Sequence, residues 1–180
     1  MHGAQPGKGW KGGEDEGMRE KRKDKRIICV GNRFVDSDDI GLQVYDFLAR
    51  RNMPGAVSLI DGGLMGLDLL RFVEGARRVV FVDVLHGFAP PGRPVVLDRN
   101  MVLEERPTGY GHDGGLACLL RMLPAVCESD LPEIALVGAE PPIGPDVVEQ
   151  LADMALSIAT GERYERERNT AIDAAQPGAP

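Results

Sequence analysis

Acidic side chains and one histidine gather where this chain leaves its apolar runs. Val30-Gly31-Asn32 closes the first such run and is followed by Asp36-Ser37-Asp38-Asp39-Ile40-Gly41. A second run, Val79-Val80-Phe81-Val82, ends on Asp83, and His112 stands at the head of a later helical pattern. Carboxylate oxygens and a neutral imidazole are the donors of a mixed site for a divalent transition metal, with nickel, zinc, iron and manganese all compatible. Phosphate fits poorly. A glycine-containing loop between a first strand and a first helix can cradle an anion with its N–H groups. Here a phosphate would meet Asp36, Asp38 and Asp39 instead.

Each residue also has a plainer use. Ser37, Asp38 or Asp39 is expected to cap the following helix, since short polar side chains satisfy the free N–H groups of a first turn. Three candidates exceed what one cap needs. An acid such as Asp83, directly after four apolar residues, is costly unless bonded, paired or bound to a cation. His86, in Leu85-His86-Gly87, either reaches the same site or lies in a surface turn. His112 stands in Gly109-Tyr110-Gly111-His112-Asp113-Gly114-Gly115. At a helix start the dipole disfavours the imidazolium, and neutral imidazole is the form that binds metal. There is no His-Glu-x-x-His helix of a zincin and no Gly-x-Ser-x-Gly elbow. Cys29 lies inside an apolar run and is a poor nucleophile.

The elements that must position these groups alternate. Strands are expected at Arg26–Gly31, Val57–Ile60, Val79–Val84, Pro94–Leu97 and Glu133–Gly138. Helices are expected at Asp39–Asn52, Leu67–Glu74, Asp113–Leu123 and Pro145–Ala159, with Met53-Pro54-Gly55 stopping the first. The order argues an α/β sandwich with a mostly parallel sheet. Ligands bind such sheets outside the carboxyl ends of the strands, where Asn32, Asp61, Asp83 and Gly138 fall. Pro94–Leu97 is short and belongs near an edge.

The 180 residues suffice for one domain with a substantial core. Residues 1–25 are rich in glycine and charge and are read as a disordered tail; residues 161–180 are read as a flexible C-terminal tail. The folded domain is placed at 26–160. Residues 1–26 hold eight Lys or Arg against five Asp or Glu, so of the net −7 the remainder carries about −10. That balance argues against nucleic acid and anionic membranes as partners. Three cysteines without framework spacing fit a reducing cytosol. The basic start lacks a following apolar stretch, so no secretory signal is read, and no apolar run has the length of a membrane span.

Taken in order, several segments resemble the hydrogenase maturation proteases. They are Val30-Gly31-Asn32 with Asp38-Asp39-Ile40-Gly41, Ile60-Asp61-Gly62-Gly63, Val80-Phe81-Val82-Asp83, His112, and Leu136-Val137-Gly138 with Glu140-Pro141. The likeness spans roughly residues 26–158. It implies a three-layer α/β/α sandwich with a mostly parallel twisted sheet. It also implies a cytoplasmic, monomeric endopeptidase that removes a short C-terminal extension from the large-subunit precursor of a nickel-iron hydrogenase after nickel insertion. The family's nickel-interacting acid, aspartate and histidine match Asp38, Asp83 and His112, with Asp38 and Asp83 also the catalytic candidates. The nickel would come with the precursor. Departures are Gly138-Ala139-Glu140-Pro141 for a Gly-x-Gln-Pro-like element, His86 in a slot often acidic, and Leu64 where a small polar residue is common. Two other readings are a non-catalytic module that checks nickel loading of the precursor, and a flavodoxin-like nucleotide binder, which the loop acids disfavour.

The glycines around His112 mark it as a loop residue rather than a packed one. His112→Ala is therefore expected to abolish precursor processing while costing about 1 kcal/mol or less, a melt shift of a few degrees. A large melt shift with proportionate loss of activity would assign it a structural role.

Overall fold

In the computed structural model, which describes residues 24–36, 38–104 and 115–161, five strands form one sheet in the order β2-β1-β3-β5-β4. The strands are β1 (Lys25–Val30), β2 (Val57–Gly63), β3 (Arg78–Val84), β4 (Pro94–Asp98) and β5 (Glu133–Ala139). The first three and β5 run parallel, and β4 returns antiparallel along β5 at one edge. The expected edge position of Pro94–Leu97 thus holds, and β1 begins at Lys25.

Both faces of the sheet are covered, as near-continuous apolar strands require. Ile27, Cys29, Val80, Val82 and Val137 pack under α1 (Ile40–Ala49) and α5 (Pro145–Thr160). On the opposite face Ile28, Val79, Phe81 and Leu136 pack under α2 (Leu70–Val73), α3 (Arg99–Glu104) and α4 (Gly115–Val126). The result is a three-layer α/β/α sandwich. From β1 the chain crosses by α1 to β2 on one side; β3 then lies on the other side of β1. The strand order therefore reverses between β1 and β3, and their carboxyl ends flank the crevice where α/β sheets bind ligands.

Several elements differ from the sequence expectation. α1 ends at Ala49, because Arg51 leaves the helix to bond Asp153 and Glu149 of α5. β2 runs on through Gly63: Cys29 pairs with Asp61 and Val30 with Gly63, a bulge that absorbs Gly62. The helix expected at Leu67–Glu74 is a 3₁₀ turn, Gly66–Leu69, followed by the single turn of α2. The expected side-chain cap of α1 is not formed among the described residues. Asp39 is the cap residue, but its backbone (φ −101°, ψ 0°) is not the extended one that aims a cap at the first turn, and its Oδ1 accepts from Gln43 Nε2 at 2.9 Å. α3 was not expected. Asp98 provides its start, with Oδ1 accepting from the Met101 N–H at 2.9 Å.

α4 passes through Pro124 instead of stopping at Leu123. Proline has no N–H for the carbonyl four residues back, here that of Leu120. Arg99 supplies the missing donor, with Nε 3.0 Å from the Leu120 oxygen. This bond also fastens α3 to α4.

Arg99→Ala is expected to cost about 1–3 kcal/mol, the range for a partly buried acceptor left alone. Pro124→Ala in that background should recover much of the loss by restoring the helical N–H. Urea midpoints of the two single variants and the double variant measure the coupling. Additive effects would separate Arg99 from the proline.

Candidate active site

Two close approaches build the crevice. Gly31 has φ +140°, and a Cβ there would lie 2.3 Å from the Asp38 carbonyl oxygen. Gly41, in the first turn of α1, would push a Cβ to 2.1 Å from the Val30 carbonyl and 2.5 Å from that of Val82. Without a side chain at 41, α1 sits directly on the carboxyl ends of β1 and β3. Between these glycines the loop is held by its own backbone. The Asn32 N–H donates to Asp38 O (2.8 Å), the Asp38 N–H to Val35 O (2.8 Å) and the Val35 N–H to Asn32 O (3.1 Å). Asn32 Oδ1 accepts from the Phe34 N–H at 3.0 Å. The backbone of Asp38 is thereby fixed against Gly31, just past the end of β1.

Asp83 reaches the crevice from below. Along β3 the side chains of Val79 and Phe81 enter the α4-side core, and Asp83 continues that row. The residue keeps a rim of exposure, yet its carboxyl is enclosed. Burial pushes this carboxyl up to about 7. The Val84 N–H, 2.8 Å from Oδ1, opposes the rise, and the charge of Asp38 adds to it. Asp38 is itself raised, first by burial and then by Asp39; His86 and the Asn32 N–H pull it back. The charge of Asp38 thus reaches Asp83 and favours its protonated form.

His86 meets both descriptions that its sequence allowed. It is exposed in a bend three residues past Asp83, and it faces the charge of Asp38. Glu140 sets that bend: its Oε2 accepts from the Gly87 N–H at 2.8 Å, and its carbonyl accepts from Gly92 at 2.7 Å. His112 lies outside the described residues, as does Ser37. Among the described residues no three His, Cys, Asp or Glu side chains converge as a metal-binding group. Burial, then Asp61 and Asp46, raises the Cys29 thiol far above its ordinary range, which removes it as a nucleophile.

Arg33 was not singled out in the sequence. Its guanidinium donates to Asp46 of α1 (2.8 and 3.2 Å) and to Asp61 of β2 (3.1 Å). Asp46 and then Asp61 hold Arg33 above its usual range, and Arg33 holds Asp46 below its own. A lone arginine next to a glycine turn carries no sequence signal, because its partners lie 13 and 28 residues away.

The family profile described as HycI, hydrogenase maturation protease, matches residues 42–159. A Methanocaldococcus jannaschii protein whose name assigns it provisionally to these proteases is 27% identical over 155 residues, 79% of this chain and 97% of its own length. The hydrogenase expression/formation protein HupD of Bradyrhizobium diazoefficiens is 26% identical over 154 residues, 75% of this chain and 77% of its own. In fold, the chain is similar to the hydrogenase maturating endopeptidase HybD of Escherichia coli, with TM-score 0.57, 24% identity and coverage of 74% and 87% of the two chains. With the profile spanning most of the α/β domain, from α1 to α5, this chain belongs to the hydrogenase maturation protease family, a family of endopeptidases.

Proposed function

We propose that this chain removes a C-terminal extension from the large-subunit precursor of a nickel-iron hydrogenase once nickel has been inserted. The observation that carries this reading is the Asp38–Asp83 pair at the strand-order reversal, in which burial raises both acids, Asp83 to about 7, while His86 draws Asp38 part of the way back. Two carboxyls whose surroundings push their affinities for protons apart are suited to acid and base roles. Asp38 accepts a proton from the attacking water as its oxygen bonds to the scissile carbonyl carbon. The C–N bond then breaks, and Asp83 gives its proton to the departing amine. Transfer of the proton from Asp38 to Asp83 restores the pair.

Nickel in this reading belongs to the precursor. Asp38 and the enclosed Asp83 gather two acids at one place, and a substrate-borne cation would supply charge of the opposite sign. Asp38, Asp83 and His112 are the groups that would face it, so an unloaded precursor would leave the pair uncompensated. Among the described residues no helix is long and apolar enough to cross a membrane.

The test is cleavage of the nickel-loaded precursor by the purified chain, read by mass spectrometry. Asp38→Ala and Asp83→Asn are expected to stay folded and to leave the precursor intact. Normal processing by both variants would overturn the assignment. Binding of loaded precursor without cleavage by the unaltered chain would make it a loading-check module instead.

Stability against pH gives a second readout. The folded chain holds the Asp83 proton up to about pH 7, whereas an unfolded aspartate loses it near 3.9. Between those values the native state binds more protons than the unfolded one, so stability falls as pH rises and levels off above 7. The slope from this group is at most about 1.4 kcal/mol per pH unit. Asp83→Asn should remove it and be the more stable protein at pH 7.5 and above. Parallel stability curves for the two proteins would mean that Asp83 is solvated.

A further inference from the structure

The turn that fixes Asp38 also turns large apolar side chains into solvent. Phe34 is 96% exposed, and Val35 beside it is exposed as well. Both lie inside the run of backbone bonds from Asn32 to Asp38, so they cannot retreat without releasing the acid. The neighbouring loop after β2 does the same: Leu64 is 73% exposed, and Met65 and Leu67 follow it. The two loops leave adjacent strands and are joined by the Gly31 N–H to Gly63 carbonyl bond at 3.1 Å and by Arg33 on Asp61. Exposed apolar groups thus stand on two bonded loops at the carboxyl edge, one of which carries Asp38. Isolated exposed leucines need no explanation, but a contiguous apolar set beside a site marks an interaction surface.

We propose that Phe34, Val35, Leu64 and Met65 form the docking surface for the apolar stretch of the precursor next to its scissile bond. This rests on the endopeptidase reading above. The occupant follows from continuity and charge. A polypeptide that reaches Asp38 along its own loop passes Phe34 and Val35, which the backbone bonds from Asn32 to Asp38 hold in the same turn. Asp36, Asp38 and Asp39 beside the patch suit a partner that presents a positive centre at the acids and apolar side chains along the rim. Arg33 adds no net repulsion, because Asp46 and Asp61 already neutralise it. Leu64 is then the specificity residue, since it is the most exposed apolar side chain on the β2 loop.

The probe is the fluorescently labelled large-subunit precursor of the same organism, titrated into the full chain and into Phe34→Ser and Leu64→Ser. Each substitution is expected to weaken binding about tenfold or more, while kcat at saturating precursor and the thermal melt stay close to those of the unaltered chain. Unchanged affinity in both variants overturns the docking surface, whether or not the precursor is cleaved. Weakened binding with no cleavage by the unaltered chain supports the surface and overturns the endopeptidase reading. A dimer of the unaltered chain that Phe34→Ser converts to monomer assigns the patch to a second copy and overturns the proposal.

Discussion

A carboxyl group enclosed at the end of the central strand is the constraint around which the rest of this fold is arranged. Asp83 continues a row of core side chains, and β1 and β5 flank its strand on both sides. Water reaches it only at a rim. Desolvation on that scale favours the protonated acid, and a second acid nearby deepens the preference. A protein gains no stability from such a group, and among the described residues the Val84 N–H at 2.8 Å offsets part of the cost. The unfavourable placement is tolerated because the sheet around it is rigid and apolar, which is where strain and perturbed acids persist when chemistry requires them.

Rigidity at that edge comes from missing atoms as much as from contacts. Gly41 lets a helix rest on two strand carbonyls, and Gly31 lets the loop fold over Asp38. Away from the crevice the same economy recurs with opposite sign. Pro124 removes a donor from α4, and an arginine from α3 replaces it. At the far end of the sheet Arg26 donates to the carbonyls of Phe72 and Glu74, and Arg78 to that of Ile158. Cations thus satisfy helix ends that have no further turn to bond.

The sequence made the parallel strands legible, because runs such as Val79–Val84 are apolar on consecutive positions and only a sheet covered on both faces accepts them. It also brought out Asp83 and the acids of the first loop, since acids after such runs have few structural uses, while only the family resemblance singled out Asp38 among Asp36, Asp38 and Asp39. What stayed hidden depended on distant partners. α3 is too short for periodicity, and its one sign, Asp98 three residues before Met101, is weak in isolation. The continuation of α4 past Pro124 required knowing that Arg99 would be beside it. The cap of α1 misled for a local reason: Asp39 has the right side chain on the wrong backbone. Arg33 and Glu140 act through residues 13, 28 and 53 positions away, and no window along the chain contains both ends.

Arg33 has one more consequence. The loop carrying Asp38 keeps its shape through uncharged backbone bonds and meets β2 through the Gly31–Gly63 backbone bond, and Arg33 adds half-exposed ionic contacts to α1 and β2. Backbone bonds are indifferent to ionic strength; exposed ion pairs are screened over a Debye length that shrinks from about 10 Å at 0.1 M to about 3 Å at 1 M salt. Concentrated electrolyte therefore weakens the Arg33 contacts and leaves the backbone bonds, so this loop has one salt-sensitive tie within a frame that salt does not reach.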